Sequence, residues 1–270
     1  MSPRSRIIDP RGVPSALVAP ALLGAAILVL PILALLLRID WGALPATLMA
    51  PETASALGLS LSTAALATLC CVVLGVPLAV VIARTSGVLS GVLRGLITLP
   101  LVLPPLVGGI ALLTLFGKGG LIGDALSEIG VRLPFSTLAV VIAQVFVALP
   151  FLVISVEGSL RSLDPATEEA AATLGASPLV VLFRVTLPII APGLIAGVIL
   201  SFTRALGEFG ATALFAGNAA GSTRTIPLAI YSAFNGAGVT QDVALALSLV
   251  LIVTSLTVLV ILGGRTARAS

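Results

Sequence analysis

The chain has 270 residues, of which 58% are hydrophobic and only 9% are charged. A soluble domain carries roughly 25% charged residues, so this composition excludes a large soluble protein and indicates an integral membrane protein. The formal net charge of +3 is spread along the chain, which argues against nucleic-acid binding, and the absence of histidine argues against zinc sites and histidine acid–base catalysis.

Six apolar stretches are long enough to cross a membrane, since a helix needs about 20 residues to span the hydrocarbon core. The first is longer than the apolar core of a signal peptide, so we interpret it as a retained span. The adjacent Cys70 and Cys71 lie in the second stretch and are interpreted as small core residues. The stretches lack the alternation of a membrane barrel. We therefore expect an all-α integral membrane protein with six transmembrane helices, at 16–37, 57–83, 96–116, 137–156, 189–211 and 243–262.

The basic residues predict how these spans are oriented. If the N-terminal tail, residues 1–15, is cytoplasmic, nine of the 14 Lys and Arg residues fall in cytoplasmic segments, four fall in outer segments and Arg204 lies within a span. Because cytoplasmic loops carry the excess of Lys and Arg, both termini are expected in the cytoplasm. Residues 16–270 then form a single transmembrane domain, whose connection 157–188 between the fourth and fifth spans is cytoplasmic.

The third predicted span is interrupted by Pro100, Pro104 and Pro105 and contains the pair Gly108 and Gly109. Proline removes a backbone hydrogen bond and kinks a helix, which membrane helices tolerate where neighbouring groups compensate. Two interpretations stay open here. Pro104 and Pro105 mark a gating element of a translocation path, or they produce a kink that only serves packing.

The sequence predicts a short, well-capped helix in the cytoplasmic connection. Asp164 is a good N-cap, and Pro165 is well tolerated at the first helical position. Glu168 and Glu169 follow near the helix start, where the helix dipole favours negative charge. Gly175 is a natural C-terminal stop.

A second helix is expected to begin at Ser177 and Pro178 by the same chemistry and to run to Pro188, where the fifth span starts. Three consecutive alanines, residues 170–172, give the first helix a smooth surface. Such a surface can enter a groove on another protein at little cost in side-chain entropy. The alternative is an ordinary cytoplasmic loop with good caps.

The fifth predicted span carries small residues at intervals of four, Gly193, Gly197 and Ser201. Small residues at this spacing let helix backbones approach closely. We expect this row to pack near a two-fold axis between two copies of the chain. Packing within one chain is the alternative.

The same span holds Arg204 and Glu208, which share one helix face because they are four residues apart, with Gly207 between them. Counted from Pro188 at about 1.5 Å per residue, they lie toward the outer side. Ionisable residues within a span usually face protein or a water-filled path. We expect an outer gate or structural ion pair rather than a direct substrate ligand. The third interpretation is that these side chains only extend to the membrane interface.

The sequence contains no nucleotide-binding loop of the type G-x-x-x-x-G-K-[ST]. The only lysine, Lys118, is followed by Gly119 and Gly120 and is interpreted as part of a turn. The chain is therefore not expected to hydrolyse ATP, and no catalytic residue, metal ligand or cofactor is predicted. Uphill transport would need a separate motor.

The cytoplasmic connection resembles the EAA signature of ABC importer permeases. The matching positions, in type and spacing, are Glu169, Ala170, Ala171, Gly175, Val185, Leu187 and Pro188, and the family has isoleucine in place of Val185. Three other stretches are similar to the permeases of molybdate importers, with those of sulfate importers close behind: LPLVLPPLVGGIALL at 99–113, RALGEFGATALFAGN at 204–218 and TRTIPLAIY at 223–231. The likeness covers most of the chain from about residue 57 onward.

This resemblance implies a type I importer-permease fold in the plasma membrane of a prokaryote. It implies two copies of the chain, a dimer of ATPase subunits, and an extracytoplasmic oxyanion-binding protein. The implied substrate is molybdate, with tungstate and with sulfate or thiosulfate as alternatives. The connection would form the coupling helix, and the residues assigned to ATPase contact are Glu168, Glu169, Ala170, Ala171, Gly175, Leu187 and Pro188.

Two other functional classes fit the sequence less well. An intramembrane enzyme would need a Ser–His or paired-Asp arrangement within the spans, and none is visible. An ATP-independent channel or carrier would not need the alanine-rich connection, and carriers often show an internal repeat that is absent here.

Overall fold

A computed structural model describes residues 15–236 and 239–266, and within these ranges the chain is helical with no strand. The all-α class expected from the sequence is therefore confirmed. The predicted N-terminal tail, apart from its last residue, lies outside the described residues. The described helices are α1 (Ser15–Leu37), α2 (Leu44–Met49), α3 (Pro51–Arg84), α4 (Gly87–Val102), α5 (Pro105–Phe116), α6 (Gly123–Glu128), α7 (Thr137–Arg161), α8 (Pro165–Thr173), α9 (Pro178–Ile189), α10 (Ala191–Leu206), α11 (Gly210–Phe215), α12 (Ile226–Phe234) and α13 (Gln241–Thr266).

Three of these helices, α1, α3 and α7, are long and apolar enough to cross a membrane unbroken. They correspond to the first, second and fourth predicted spans. Two bent pairs, α4 with α5 and α9 with α10, are also long and apolar enough to cross a membrane when each pair is taken as one span. Helix α13 occupies the region of the sixth predicted span. The arrangement is compatible with six spans.

The third predicted span, 96–116, is wrong as a single helix. Helix α4 begins 9 residues earlier, at Gly87, and α5 lies at 114° to it. The cause is the Pro104–Pro105 pair, because a residue that precedes proline is driven out of the α region. Leu103 and Pro104 accordingly have ψ angles of 136° and 134°, which end one helix and start the next.

The bend of 75° between α9 and α10 lies beside Ile190, close to Pro188, where the sequence predicts that the second helix of the connection ends and the fifth span begins. At this bend Pro192 lacks the amide hydrogen that would bond to the carbonyl of Pro188. The fifth predicted span, 189–211, is divided further along, because α10 ends at Leu206 and α11 begins at Gly210. Arg204 lies within the continuous helix α10, whereas Glu208 lies beyond its end, so the depth estimated for Glu208 from one unbroken helix does not hold.

The core is formed by α3, α7 and α10, and small residues allow their backbones to come close. A Cβ on Gly197 would lie 3.1 Å from Cβ of Ser155 on α7, and no space for a side chain remains at Gly193. Ser201 donates a hydrogen bond to the carbonyl of Ala148, at 3.1 Å. The row of small residues on α10 therefore packs against α7 of the same chain, rather than at the expected contact between copies.

Helix α1 lies apart from this core. None of its membrane-length segment is buried, and large apolar side chains such as Leu22, Ile27 and Leu28 are exposed. A surface of this kind is stable only against lipid or another apolar surface. In α3, Cys71 is buried in the core and Cys70 is half-buried, and both are free thiols.

Candidate functional site

The connection between α7 and α10, which the sequence predicts to be cytoplasmic, begins with the short helix α8, whose ends are those that its sequence predicts. The carboxylate of Asp164 accepts a hydrogen bond from the amide of Ala166 at 3.0 Å, and Pro165 occupies the first position. Gly175 has a φ of +89°, a left-handed conformation that favours glycine, and so terminates the turn after the helix. Strong caps hold this helix in place although it buries none of its own residues.

The second helix of the connection differs from the prediction in two respects. Ser177 occupies the N-cap position of α9 but its hydroxyl makes no capping hydrogen bond. Within α9, residues 182–186 form a π-helical turn. This wider turn contains the buried Thr186, whose hydroxyl donates to Glu168 on α8. Single π turns inside helices are frequent at functional sites.

Glu168 and Glu169 are neighbours in sequence but have different surroundings. Glu168 faces the rest of the chain, where it pairs with Arg84 at the end of α3, Nη2 to Oε1 at 3.0 Å, and accepts from Thr186. Glu169 is exposed and has no ion pair within the described ranges. One carboxylate therefore fastens α8 to α3 and α9, and the other is available to a partner.

The outward surface of α8 is small and uncovered. Ala170 and Ala172 are exposed, Ala171 is half-buried, and Leu174 just after the helix is 89% exposed. Sequence reasoning identified the alanines but missed Leu174, which adds an apolar side chain at one end of the same surface. The structure thus brings together five of the predicted coupling residues: Glu168, Glu169, Ala170, Ala171 and Gly175.

The other two predicted coupling residues lie where α9 leads into α10. Leu187 is half-buried against the core, and Pro188 is exposed. Backbone hydrogen bonds continue across the bend, because the amide of Ile190 donates to Thr186 at 3.0 Å and that of Leu194 donates to Ile190 at 2.9 Å. Helices α9 and α10 are therefore bonded to each other despite the 75° angle.

A second ionic cluster lies nearby and was also missed from the sequence. Glu157, near the end of α7, accepts from Nε of Arg94 at 2.7 Å and from Nε of Arg161 at 2.9 Å. The cluster joins α4 to α7 through a carboxylate that is largely buried. The sequence showed these arginines only as topology signals. The spacing of four residues between Glu157 and Arg161 is a signal that could have indicated their pair, whereas nothing in the sequence indicated the partner of Arg94.

At the other end of α10, Arg204 and Glu208 form an ion pair, Nη2 to Oε2 at 2.8 Å. Glu208 is only 1% exposed. Its second oxygen, Oε1, accepts from the amide of Ala211 at 2.8 Å, at the start of α11. The one carboxylate therefore connects the end of α10 to the start of α11, across the break at Gly207.

The two interrupted helices meet at their breaks. A Cβ on Gly210 would lie 2.5 Å from Cβ of Pro105, and one on Gly109 would lie 2.9 Å from the carbonyl of Ala211. Pro104 and Gly207 are exposed beside this contact. The predicted pathway residues of the third and fifth spans are thus brought to one place, which their separation in sequence did not reveal.

Gln144 on α7 is a polar residue at this level that sequence reasoning missed. Its side chain is fully buried, and neither its nitrogen nor its oxygen has a hydrogen-bond partner among the described residues. Since Ser201 bonds to Ala148 in the antiparallel α7–α10 contact, Gln144 lies about level with Ala205, beside the ion pair. Its position within an otherwise apolar stretch, VVIAQVFVAL, is the signal that could have indicated it.

Comparison with known proteins places this chain in a family. Residues 75–265 match the family described as "Binding-protein-dependent transport system inner membrane component". The protein named Molybdenum transport system permease protein ModB, from Mycobacterium tuberculosis, is 50% identical over 258 residues, covering 95% of this chain and 96% of that protein. Sulfate transport system permease protein CysT, from Salmonella typhimurium, is 36% identical over 208 residues, covering 76% of this chain and 75% of that protein.

The fold is also shared with solved structures. A bacterial ABC transporter involved in the import of the acidic polysaccharide alginate has a chain that superposes with a TM-score of 0.73, at 20% identity and with 94% of each chain covered. Identity at this level shows the fold alone, and it confirms the importer-permease architecture expected from the EAA signature. The match over residues 75–265 and the 50% identical relative together show that this chain belongs to the family of binding-protein-dependent transport system inner membrane components.

Proposed function

We propose that this chain is the membrane-spanning subunit of an ATP-driven importer that carries molybdate into the cytoplasm. The observation that carries the proposal is the 50% identity, over nearly the whole chain, to a permease named for molybdenum transport. The sulfate permease is less similar and covers less of the chain. Tungstate is nearly isosteric with molybdate and belongs to the same proposal, and sulfate or thiosulfate is the second candidate.

The energy source in this proposal is a separate ATPase dimer that docks on α8 of two copies of the chain. The sequence contains no nucleotide-binding loop of its own. Helix α8 offers Glu169, Ala170 and Ala172, and Leu174 follows directly after it, on a surface that the described chain leaves uncovered. Small side chains lose little entropy on docking, and the single carboxylate supplies a polar anchor.

The contacts of α8 indicate how its movement would reach the membrane. Glu168 joins α8 to α3 through Arg84 and to α9 through Thr186. Helix α9 is bonded to α10, and α10 ends at the Arg204–Glu208 pair. Closure of the ATPase dimer would move α8, and these contacts would pass that movement to the far end of α10, in an alternating-access cycle.

We assign the contact between the two helix breaks, with Pro104, Pro105, Gly207, Arg204 and Glu208, as a gate rather than a fixed substrate site. A tetrahedral dianion is attracted by Arg204 but repelled by Glu208, and Glu208 already uses both oxygens inside the protein. Gln144, with no partner here, is available to hydrogen-bond when the gate rearranges. With both termini cytoplasmic, this gate faces the outer side of a prokaryotic plasma membrane.

The direct test of the substrate uses the permease and its ATPase in proteoliposomes, with each oxyanion loaded on its own binding protein. We expect the molybdate-loaded and tungstate-loaded proteins to raise ATP hydrolysis and oxyanion uptake, because they would engage the cognate permease. The sulfate-loaded protein should leave the basal rate unchanged. Stimulation by sulfate alone would overturn the molybdate assignment while retaining the importer.

Glu169→Lys tests the docking of the ATPase. Because Glu169 has no ion pair in the described chain, the variant should fold normally but bind the ATPase subunit about tenfold or more weakly, through charge repulsion and loss of an anchor. The measurement is the ratio of ATPase to permease after copurification. Glu128→Lys, on the predicted outer side, is the matched control and should retain the ATPase. Full retention by Glu169→Lys would be evidence against α8 as the docking helix.

Substitution of Glu208 tests the gate. Glu208→Ala leaves Arg204 and the amide of Ala211 without their partner, so we expect a loss of about 3–5 kcal/mol in unfolding free energy, as for other broken buried pairs. Glu208→Gln keeps an acceptor for Ala211 and should lose less. Thermal unfolding of the purified complex ranks the two variants.

The variant Glu208→Gln also separates a gate from a substrate ligand. If the pair is a gate, Glu208→Gln should lower the oxyanion uptake per ATP hydrolysed, with the half-saturating concentration of loaded binding protein unchanged. A change in oxyanion affinity with normal uptake per ATP would instead place Arg204 on the substrate and refute the gate assignment.

A further inference from the structure

The connection between α5 and α7, residues 117–136, forms a cleft of about 440 Å³. Its lining combines apolar and charged residues. Phe116, Val131, Pro134 and Phe135 supply apolar surface, and the charged residues that line it are Lys118, Asp124 and Arg132. Under the orientation of the proposed function, this cleft lies on the outer face, opposite the coupling helix.

The cleft has cations that the described chain does not neutralise. Lys118 and Arg132 are both exposed, and neither has an ion pair in residues 15–236 and 239–266. The one acidic residue of the lining, Asp124, accepts a hydrogen bond from the amide of Gly119 at 2.8 Å and so holds the adjacent turn. Two basic side chains therefore remain for an acidic partner.

The aromatic wall of the cleft is held in a strained position. Phe135 has a φ of +61°, which is rare for a bulky residue, and the residue is 67% exposed. Its amide donates to the carbonyl of Phe215 at 3.1 Å, and the ring lies against Gly217, where an added Cβ would be 3.1 Å away. The surrounding structure thus fixes an exposed aromatic ring at the cleft, and strain that persists in this way clusters at functional positions.

We propose that this cleft is the docking surface for an acidic segment of the extracytoplasmic binding protein, whose carboxylates pair with Lys118 and Arg132 while an apolar side chain packs on Phe135. The inference rests on the proposed function, which supplies the partner and the orientation. Aromatic residues and arginine beside a polar rim are the groups that dominate protein–protein contacts. A free oxyanion fits less well, because it would pair with the cations but leave the apolar surface of Phe116, Val131, Pro134 and Phe135 uncovered.

Charge reversal tests the proposal. The double variant Lys118→Glu/Arg132→Glu, purified with the ATPase in nanodiscs, should bind the molybdate-loaded binding protein about tenfold to a hundredfold more weakly than the unmodified complex. This loss of affinity should become smaller as the salt concentration rises from about 50 to about 300 mM, because screening reduces both attraction and repulsion. Arg38→Glu reverses an exposed outer cation away from the cleft and should change the affinity little. Equal affinity of the double variant and the unmodified complex would overturn the proposal.

Phe135→Gly provides a second test that does not depend on charge. Glycine suits a φ of +61°, so the variant should keep its thermal stability and its basal ATPase rate while losing affinity for the binding protein about tenfold. A loss of stability that depends on the surrounding lipid, with unchanged affinity for the binding protein, would show that the cleft contacts lipid instead and would refute the proposal.

The failure of this inference can be distinguished from failure of the proposed function. If no oxyanion-loaded binding protein stimulates the unmodified complex, the importer proposal fails and the cleft proposal fails with it. If the unmodified complex is stimulated, and both cleft variants bind the binding protein as tightly as the unmodified complex does, only the proposed docking surface is wrong.

Discussion

Helix α8 is positioned by one carboxylate, that of Glu168. Helix α8 buries none of its own residues, so it has no hydrophobic contact strong enough to carry movement into the membrane. Glu168 replaces that contact by binding Arg84 on α3 and Thr186 on α9. Arg84 is about half exposed, and an ion pair of that kind contributes only about 0–1 kcal/mol to stability. Its role is therefore to position α8 rather than to stabilise the fold.

A second carboxylate has the corresponding role at the other end of the same helical path. Glu208 pairs with Arg204 and accepts from Ala211, so it holds together two helices that Gly207 separates. This pair is far more buried than the one at α8, and breaking it should be correspondingly more costly. In the proposed transport cycle, the weak, exposed connection lies beside the ATPase and the strong, buried one lies at the proposed gate. Helix α8 would then follow the movement of its partner while the gate stays closed between cycles.

Local chemistry in the sequence predicted local structure well. The N-cap of Asp164, the stop at Gly175 and the long helices α1, α3 and α7 all follow from caps and apolar length. Hydropathy does not record whether an apolar stretch is one helix, so it missed the break at Gly207, whereas Pro104 and Pro105 indicated the kink in the third span. It also gave no account of the partners of Arg84 and Arg94, because an ion pair between residues more than 60 positions apart depends on tertiary packing. The sequence thus indicated the individual residues of the candidate sites. It did not indicate which of them come together in the fold.

The central claim, that Glu168 transmits the movement of α8, is tested most directly by the amount of oxyanion taken up per ATP hydrolysed. We predict that Arg84→Glu keeps the ATPase bound and active but lowers this ratio. The exchange Arg84→Glu/Glu168→Arg should restore much of it, since the ion pair re-forms and the hydroxyl of Thr186 can accept as well as donate. An unchanged ratio in Arg84→Glu would contradict the account.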